Sequence, residues 1–275
     1  ISLLFEQTAS RSASAFGRFL SLDLGRTRAY EPWLAAQFEQ VVITSPTDKA
    51  ALERLAAGSP TAQAGALGQR ITVLPNGVDL DYFQPAEVER RPGNIVFSGR
   101  MSYHVNVTAA SFFARQVMPL VWQTRPDATF TIAGYDPVPE VCLLARDPRI
   151  IVTGTVPDLR PYLQQAQVAV APMPYGTGIQ NKVLEAMACA TPVVTTPQPM
   201  AALQATPGVH LLVAEDAAEF ARQVLALLQT PDLRQQIGRA GRRYVEENHT
   251  WARIVAQLEG IYEAVSQQAR EASHR

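Results

Sequence analysis

The segment at residues 174–188 carries the side chains best suited to chemistry. It reads PYGTGIQNKVLEAMA, follows a strongly apolar run, and contains Gly178, Lys182 and Glu185. A glycine turn before a helix exposes backbone N–H groups, and the helix dipole adds positive potential, so an anion can bind there. Lys182 and Glu185 are three residues apart and share one helix face. The spacing therefore predicts a phosphate site with a carboxylate for sugar or ribose hydroxyls. The alternative is a tight turn followed by a solvated Lys/Glu pair.

An arginine ends a second apolar run. The run NIVFSGR places Arg100 directly after Gly99. A guanidinium group at the carboxyl end of a strand can hold a phosphate through two parallel hydrogen bonds. If both runs belong to one parallel sheet, Arg100 and the glycine turn meet at the same edge. The alternative for Arg100 is an ordinary surface arginine.

The order of elements around these residues predicts a doubly wound parallel sheet. Short apolar runs predict strands at residues 94–100, 128–134, 149–154, 168–173, 191–196 and 210–214. Helical periodicity lies between and after them, at residues 106–118, 158–165, 178–189, 217–228, 232–249 and 251–269. Such alternation indicates right-handed crossovers, with ligands bound beyond the carboxyl ends of the strands.

The first part of the chain has a looser pattern. It predicts a helix within the first 40 residues, a strand at 41–45, a helix at 46–57 capped by Ser45, and a strand at 71–75. A turn follows at Asn76 and Gly77, where glycine would supply a left-handed conformation.

Composition excludes several classes of protein. The 275 residues are 47% hydrophobic and 18% charged, which is enough for a buried core, and the formal charge is −1. This balance argues against a broadly basic nucleic-acid-binding protein. No apolar run approaches the roughly 20 residues of a membrane span. The two cysteines are far apart and the four histidines lack metal-ligand spacing, so no metal site is expected.

Five segments together resemble the group 1 glycosyltransferases, the retaining GT-B-fold enzymes of glycosyltransferase family 4. They are LPNGVDLDYFQP (74–85), NIVFSGRMSYHVN (94–106), TFTIAG (129–134), GTVPDLRPYLQQAQVAVAPM (154–173) and GIQNKVLEAMACATPVV (178–194). The last is similar to the exopolysaccharide-type subset. The resemblance implies an α/β, GT-B-type fold with one complete Rossmann-like doubly wound parallel-sheet domain and the C-terminal part of a second.

The resemblance also implies roles for individual residues. Glu185 matches the glutamate that holds the nucleotide ribose, and Arg100, after Gly99, matches the basic residue that contacts the donor diphosphate. Gly178, Ile179 and Gln180 match a loop that binds the phosphate and the sugar. Val156, Pro157 and Asp158 match the loop beside the nucleobase. Asn76 and Gly77 match a hinge motif.

Two positions depart from the family pattern. Thr177 stands where the family has the glutamate that contacts the donor sugar. The second phosphate-binding basic residue is replaced near Asn106, and we hypothesise that Lys182 supplies the missing charge. Arg100, Lys182 and Glu185 are thus the expected catalytic residues, and Thr177 is an expected donor-binding position.

The resemblance divides the chain into three parts. Residues 1–85 correspond to the end of an N-terminal acceptor-side domain, residues 86–249 to the nucleotide-sugar domain, and residues 250–275 to a helix that crosses back. The family's N-terminal domain is longer, and the chain starts with Ile1 instead of Met. We therefore expect a truncated N-terminal domain.

The implied function is transfer of a sugar, with retention, from a nucleotide-diphosphate sugar to an acceptor hydroxyl in polysaccharide or glycoconjugate biosynthesis. The acceptor would be a saccharide, a lipid-linked molecule or another hydroxyl compound, with no nucleic acid, metal or cofactor beyond the donor. A cytoplasmic location is expected, with membrane association through the missing N-terminal residues. Two alternatives are a non-catalytic nucleotide-sugar-binding fragment and a GT-B-fold hexosamine epimerase-type enzyme, for which the sequence shows no matching pair of catalytic acids.

Overall fold

A small parallel sheet forms the first part of the fold. The computed structural model describes residues 15–58, 64–175 and 178–273. Its first elements are α1 (Ala15–Ala35), β1 (Val41–Ile43), α2 (Pro46–Ala57), α3 (Ala64–Arg70) and β2 (Ile71–Val73). β1 and β2 pair in parallel, with Val41 opposite Ile71. Ser45 caps α2 as predicted, because its hydroxyl accepts from the backbone N–H of Asp48.

A six-stranded parallel sheet organises the rest of the described chain. Its strands are β3 (Asn94–Arg100), β4 (Thr129–Tyr135), β5 (Ile150–Val152), β6 (Val168–Ala171), β7 (Val193–Thr195) and β8 (Leu212–Val213). They lie in the order β5-β4-β3-β6-β7-β8. All six predicted strands are therefore present, although most of them are shorter than predicted. All residues of β6 are buried, as its unbroken apolar run predicts.

Helices cover both faces of this sheet, as the crossovers of a doubly wound fold require. The helices after β3 are, in chain order, α4 (His104–Phe112), α5 (Met118–Thr124), α6 (Pro139–Cys142), α7 (Arg160–Gln165), α8 (Asn181–Ala188), α9 (Pro197–Leu203), α10 (Ala217–Gln229), α11 (Pro231–Asn248) and α12 (Trp251–Ser273). A π-helical stretch, Phe113–Val117, joins α4 to α5. None of the helices among the described residues is long and apolar enough to span a membrane.

The strand order reverses between β3 and β6, and this reversal leaves a crevice at their carboxyl ends. Two glycines shape its floor. Gly99 of β3 pairs with Gly134 of β4, at φ values of 147° and 150°. A Cβ on Gly134 would overlap the carbonyl oxygen of Gly99, so a side chain at this position would push the two strand ends apart. Glycine at this position lets the two strand ends lie side by side.

The segment after β2 is held against the junction of α11 and α12. His249 donates from Nδ1 to the carbonyl oxygen of Asn76 over 2.9 Å, and the Val78 N–H donates to the His249 carbonyl over 2.7 Å. Gly77 has no positive φ, so the prediction of a left-handed turn is wrong. Glycine is required at this position for another reason: a Cβ on residue 77 would lie 2.7 Å from the Trp251 ring.

Candidate functional site

Lys182 lies at the start of α8, beside the crevice between β3 and β6. Its ammonium group donates to Oδ1 of Asn106 over 2.7 Å and to Oε1 of Gln180 over 3.4 Å. It also lies 5.2 Å from the centre of the Phe97 ring. These contacts fix a cation at the edge of the sheet where the strand order reverses.

Burial changes the ionisation of both charged groups on α8. It lowers the pKa of Lys182 to about 8, and the nearby Glu185 charge opposes only part of this change. Burial likewise raises the pKa of Glu185, partly offset by Lys182. Within the described residues no hydrogen bond reaches the Glu185 carboxylate. A half-buried carboxylate without donors can accept hydrogen bonds from hydroxyl groups of a ligand, which is the role that the resemblance implies for Glu185. Because α8 begins at Asn181 and not at residue 178 as predicted, Glu185 lies only about one turn into the helix.

Arg100 lies at the carboxyl end of β3 and is exposed. Its Nε donates to the Ser102 hydroxyl over 2.9 Å, and a terminal nitrogen is 3.8 Å from the Asp136 carboxylate. With 67% of the Arg100 side chain accessible, this ion pair leaves the guanidinium free to take an anion. Asn106 ties the two cations together, because its Nδ2 donates to the Arg100 carbonyl while its Oδ1 accepts from Lys182.

Asn106 is a site residue whose role sequence reasoning missed. The sequence marked it only as a place where a basic residue is replaced. Its neighbour in space, Gly99, leaves room for it, since a Cβ there would lie 3.0 Å from the Asn106 amide and 3.2 Å from Cε of Lys182. The predicted residues Gly99, Arg100 and Lys182 are therefore brought together at one point, through Asn106.

The loop before α7 is arranged around an arginine. Asp158 pairs with Arg160 over 2.8 Å, and the Tyr82 hydroxyl donates to Asp158 over 3.3 Å. The Arg160 guanidinium, 4.0 Å from the Tyr82 ring centre, holds the pKa of Asp158 below its usual range. The helix predicted at residues 158–165 begins later, at Arg160, with Leu159 as its cap residue, so Asp158 lies before it. The loop presents the half-buried Val156 and the exposed Pro157 to solvent.

The glycine loop faces residues from the first part of the chain. Gly178 has a φ of 76°, and a Cβ on it would lie 3.4 Å from Oδ2 of Asp48 and 3.5 Å from Oγ1 of Thr44. Ile179 is buried and Gln180 is the cap residue of α8. The predicted position Thr177 lies outside the described residues.

The hinge residue Asn76 also reaches α8. Its Nδ2 donates to Oδ1 of Asn181 over 2.9 Å, while its carbonyl accepts from His249. The side chain that the resemblance assigns to the hinge thus contacts the first residue of the helix that carries Lys182 and Glu185.

The arrangement can bind a diphosphate and a polyol together. Arg100 and Lys182 provide positive charge, α8 provides free backbone N–H groups, and Glu185 provides an acceptor. In the described ranges, no three His, Cys, Asp or Glu side chains are grouped so that they could hold a metal ion.

Comparison with known proteins places the chain among sugar-transferring enzymes. The family model described as "Glycosyl transferases group 1" matches residues 92–230. The alpha-maltose-1-phosphate synthase of Mycolicibacterium smegmatis is 31% identical over 224 residues, which cover 72% of this chain. The match covers 57% of that synthase, so the chain spans little more than half the length of this relative.

Solved structures of low sequence identity share the fold. The complex of Anabaena Alr3699/HepE with UDP and glucose aligns with a TM-score of 0.67 at 15% identity, covering 86% of this chain and 65% of that one. Sucrose-phosphate synthase from Thermosynechococcus elongatus aligns with a TM-score of 0.68 at 20% identity, covering 96% of this chain and 66% of that one. The predicted α/β fold of GT-B type is thereby confirmed.

Proposed function

The chain belongs to the group 1 glycosyltransferases, and on this premise we propose that it binds a nucleotide-diphosphate sugar and transfers the sugar to an acceptor hydroxyl. The observation that carries the proposal is the junction of Arg100, Asn106 and Lys182 at the carboxyl ends of β3 and β6. Ligands of doubly wound sheets bind at such a reversal of strand order.

The donor is held in this proposal by three kinds of group. The diphosphate lies against Arg100, Lys182 and the first N–H groups of α8, and the ribose hydroxyls donate to the half-buried Glu185 carboxylate. The nucleobase lies along Val156 and Pro157, because Asp158 is already paired with Arg160. UDP is the first nucleotide to test, since HepE was solved with UDP and glucose.

Transfer depends on stabilising the leaving group. The bond between the anomeric carbon and the diphosphate oxygen breaks, negative charge grows on the diphosphate, and Arg100 and Lys182 are placed to stabilise it. The acceptor oxygen bonds to the same carbon from the same face while its O–H bond breaks and the proton passes to the departing diphosphate oxygen. The configuration is thereby retained, as the family's chemistry implies. Since two fixed cations serve the diphosphate, we expect activity to persist in the presence of a chelator.

The wider assignments belong to this proposal as well. Residues 1–85 would form part of an acceptor-side domain, residues 86–249 the donor-binding domain, and residues 250–275 a helix returning to the first part. The acceptor would be a saccharide or a lipid-linked molecule, and a lipid-linked acceptor would bring the enzyme to a membrane surface.

A second candidate function is donor binding without transfer. It is favoured by one observation: in the described residues before Asn94, the strands form a sheet of only two members. Among the described residues, the proposed donor side thus has six strands and the proposed acceptor side two.

Radiolabelled UDP-glucose separates the two candidates. The chain is incubated with the labelled donor and maltose, and UDP release and label transfer are followed beside calorimetric titration of UDP. Transfer with UDP binding supports the transferase. Binding with neither release nor transfer supports the second candidate, and the absence of both binding and transfer would contradict both.

A further inference from the structure

The carboxyl end of β1 faces the loop before α8. Gly178 lies three residues before the first residue of α8, and a Cβ on it would lie 3.4 Å from Oδ2 of Asp48 and 3.5 Å from Oγ1 of Thr44. Helix α2 also packs against α9, the helix that follows β7. Ligands of parallel sheets bind at the carboxyl ends of the strands, so side chains from both sheets border the place where a donor would lie.

The Asp48 carboxylate can accept more hydrogen bonds than it receives. Ser45 donates its hydroxyl to Oδ2 over 2.7 Å. The adjacent Lys49 is used elsewhere, because its ammonium donates to the Ile71 carbonyl over 2.7 Å and lies 3.9 Å from the Glu53 carboxylate. Within the part of the chain that the structure describes, no ion pair neutralises Asp48. Since a carboxylate offers about four acceptor positions, this half-buried group can take further hydroxyl donors.

The Asp48 side chain is held in place before a ligand binds. Asp48 lies in the first turn of α2, where the helix dipole favours a negative charge, and its backbone N–H donates to the Ser45 hydroxyl over 3.1 Å. The same hydroxyl donates to the carboxylate, so backbone and side chain are fixed together. A ligand would therefore meet an oriented acceptor without having to order it first.

The signs of the charges indicate which part of a donor lies beside Asp48. Arg100 and Lys182 attract the diphosphate at the crevice between β3 and β6, whereas Asp48 brings a negative charge to the loop before α8. A carboxylate repels phosphate and accepts hydrogen bonds from hydroxyl groups. The sugar is the neutral, hydroxyl-rich end of a nucleotide-diphosphate sugar, and it is bonded directly to the diphosphate. Asp48 therefore suits the sugar, and the exposed Thr44 hydroxyl adds a second polar group there.

We propose that Asp48 accepts a hydrogen bond from a hydroxyl group of the transferred sugar, so that the first part of the chain takes part in recognising the donor. The proposal rests on the proposed transferase function, because the position of the sugar follows from that of the diphosphate. A site built to bind a hydroxyl group discriminates against sugars that lack it, since the polar group of the protein is then left unpaired. Asp48 is thus a residue that determines sugar specificity.

The test separates sugar binding from the structural role of Asp48 in α2. Asp48→Ala removes the carboxylate, whereas Ser45→Ala removes the cap hydroxyl and leaves the carboxylate in place. Glu53→Ala is the matched control, because this carboxylate is on the same helix but faces α3, where its Oε1 is 3.2 Å from the position of a Cβ on Gly68. Calorimetry measures the affinity of each protein for UDP, for UDP-glucose and, with UDP present, for maltose. Thermal unfolding measures the stability of each variant.

We expect Asp48→Ala to bind UDP at least as tightly as wild type, because a nearby negative charge is lost, and UDP-glucose about tenfold more weakly. Ser45→Ala should have a lower unfolding midpoint but keep the wild-type ratio of the two affinities, and Glu53→Ala should keep this ratio as well.

Three results would overturn the role of Asp48 alone. They are an equal loss of UDP and UDP-glucose affinity in Asp48→Ala, an unchanged affinity for UDP-glucose, and a loss confined to maltose, which would place the contact on the acceptor. A wild type that binds UDP but not UDP-glucose would also contradict it. A wild type that binds no UDP would contradict the proposed function itself, and the role of Asp48 with it.

Discussion

Lys182 is the residue on which most of the proposed site depends. Its ammonium is buried against Phe97 and Met173 and has Asn106 as its shortest hydrogen-bond partner. Burial disfavours the charged form of Lys182 and lowers its pKa to about 8. A bound diphosphate would be attracted by the ammonium charge and would in turn stabilise the charged form.

The lowered pKa of Lys182 makes nucleotide affinity depend on pH. Below about pH 8 the group is charged, and above it the group becomes neutral, so UDP affinity should fall as pH rises from about 7 to about 9.5. Lys182→Arg keeps its charge over this range, because arginine ionises far above it, and should lose most of this dependence. Calorimetry at several pH values measures the effect. An equal decline in wild type and Lys182→Arg would place the titrating group elsewhere.

Glu185 should contribute to ribose binding. Glu185→Ala removes a carboxylate that accepts hydroxyl hydrogen bonds, and we expect it to weaken UDP binding by about 1–3 kcal/mol. Glu259→Ala, a change on the exposed surface of α12, is the control and should leave the affinity unchanged. Comparing UDP with ribose-free pyrophosphate sharpens the test, because the loss should be absent for pyrophosphate. An identical loss for both ligands would argue against contact with the ribose.

At the scale of elements, two strand ends hold the site in shape. Gly99 and Gly134 are neighbours in the sheet, and each adopts a φ that other residues rarely adopt. The carbonyl of Gly99 occupies the space where a Gly134 side chain would be. The hydrogen bond from Asn106 to the Arg100 carbonyl depends on this geometry, because Arg100 directly follows Gly99.

Gly134→Ala should destabilise the fold strongly. The Cβ overlaps the Gly99 backbone and the φ is unfavourable, so a loss of at least about 2 kcal/mol in the free energy of unfolding is expected. Gly260→Ala on α12, where a Cβ meets nothing within 4 Å, should be neutral or stabilising by up to about 1 kcal/mol. Urea denaturation measures both variants. Equal stability of the two variants would show that the strand ends can relax.

The elements were more predictable than the contacts among them. Alternating apolar runs and helical periods predicted all six strands of the large sheet, because buried parallel strands have a strong local pattern. The short helices α6 and α9 begin at prolines and contain few periodic positions, so the sequence did not predict them. Asn106 is separated from Lys182 by 76 residues, and no local pattern predicts that hydrogen bond.

At the scale of the whole molecule, the first part of the chain contacts the part that contains the six-stranded sheet at several points. Asn76 bonds both Asn181 and His249, and Gly77 packs against Trp251. β2 and α12 also border one cavity of about 430 Å³. The resemblance predicts a hinge at Asn76 and Gly77, and the Asn76 side chain bonds to the first residue of α8.

Nucleotide binding by the whole chain is the central claim, and calorimetric titration with UDP tests it most directly. Wild type, Lys182→Ala and the exposed control Arg239→Ala are titrated at pH 7, where Lys182 is charged. We predict saturable binding by wild type and Arg239→Ala, and at least tenfold weaker binding by Lys182→Ala. Binding of equal strength by Lys182→Ala and wild type, or no binding by the wild type, would contradict the account.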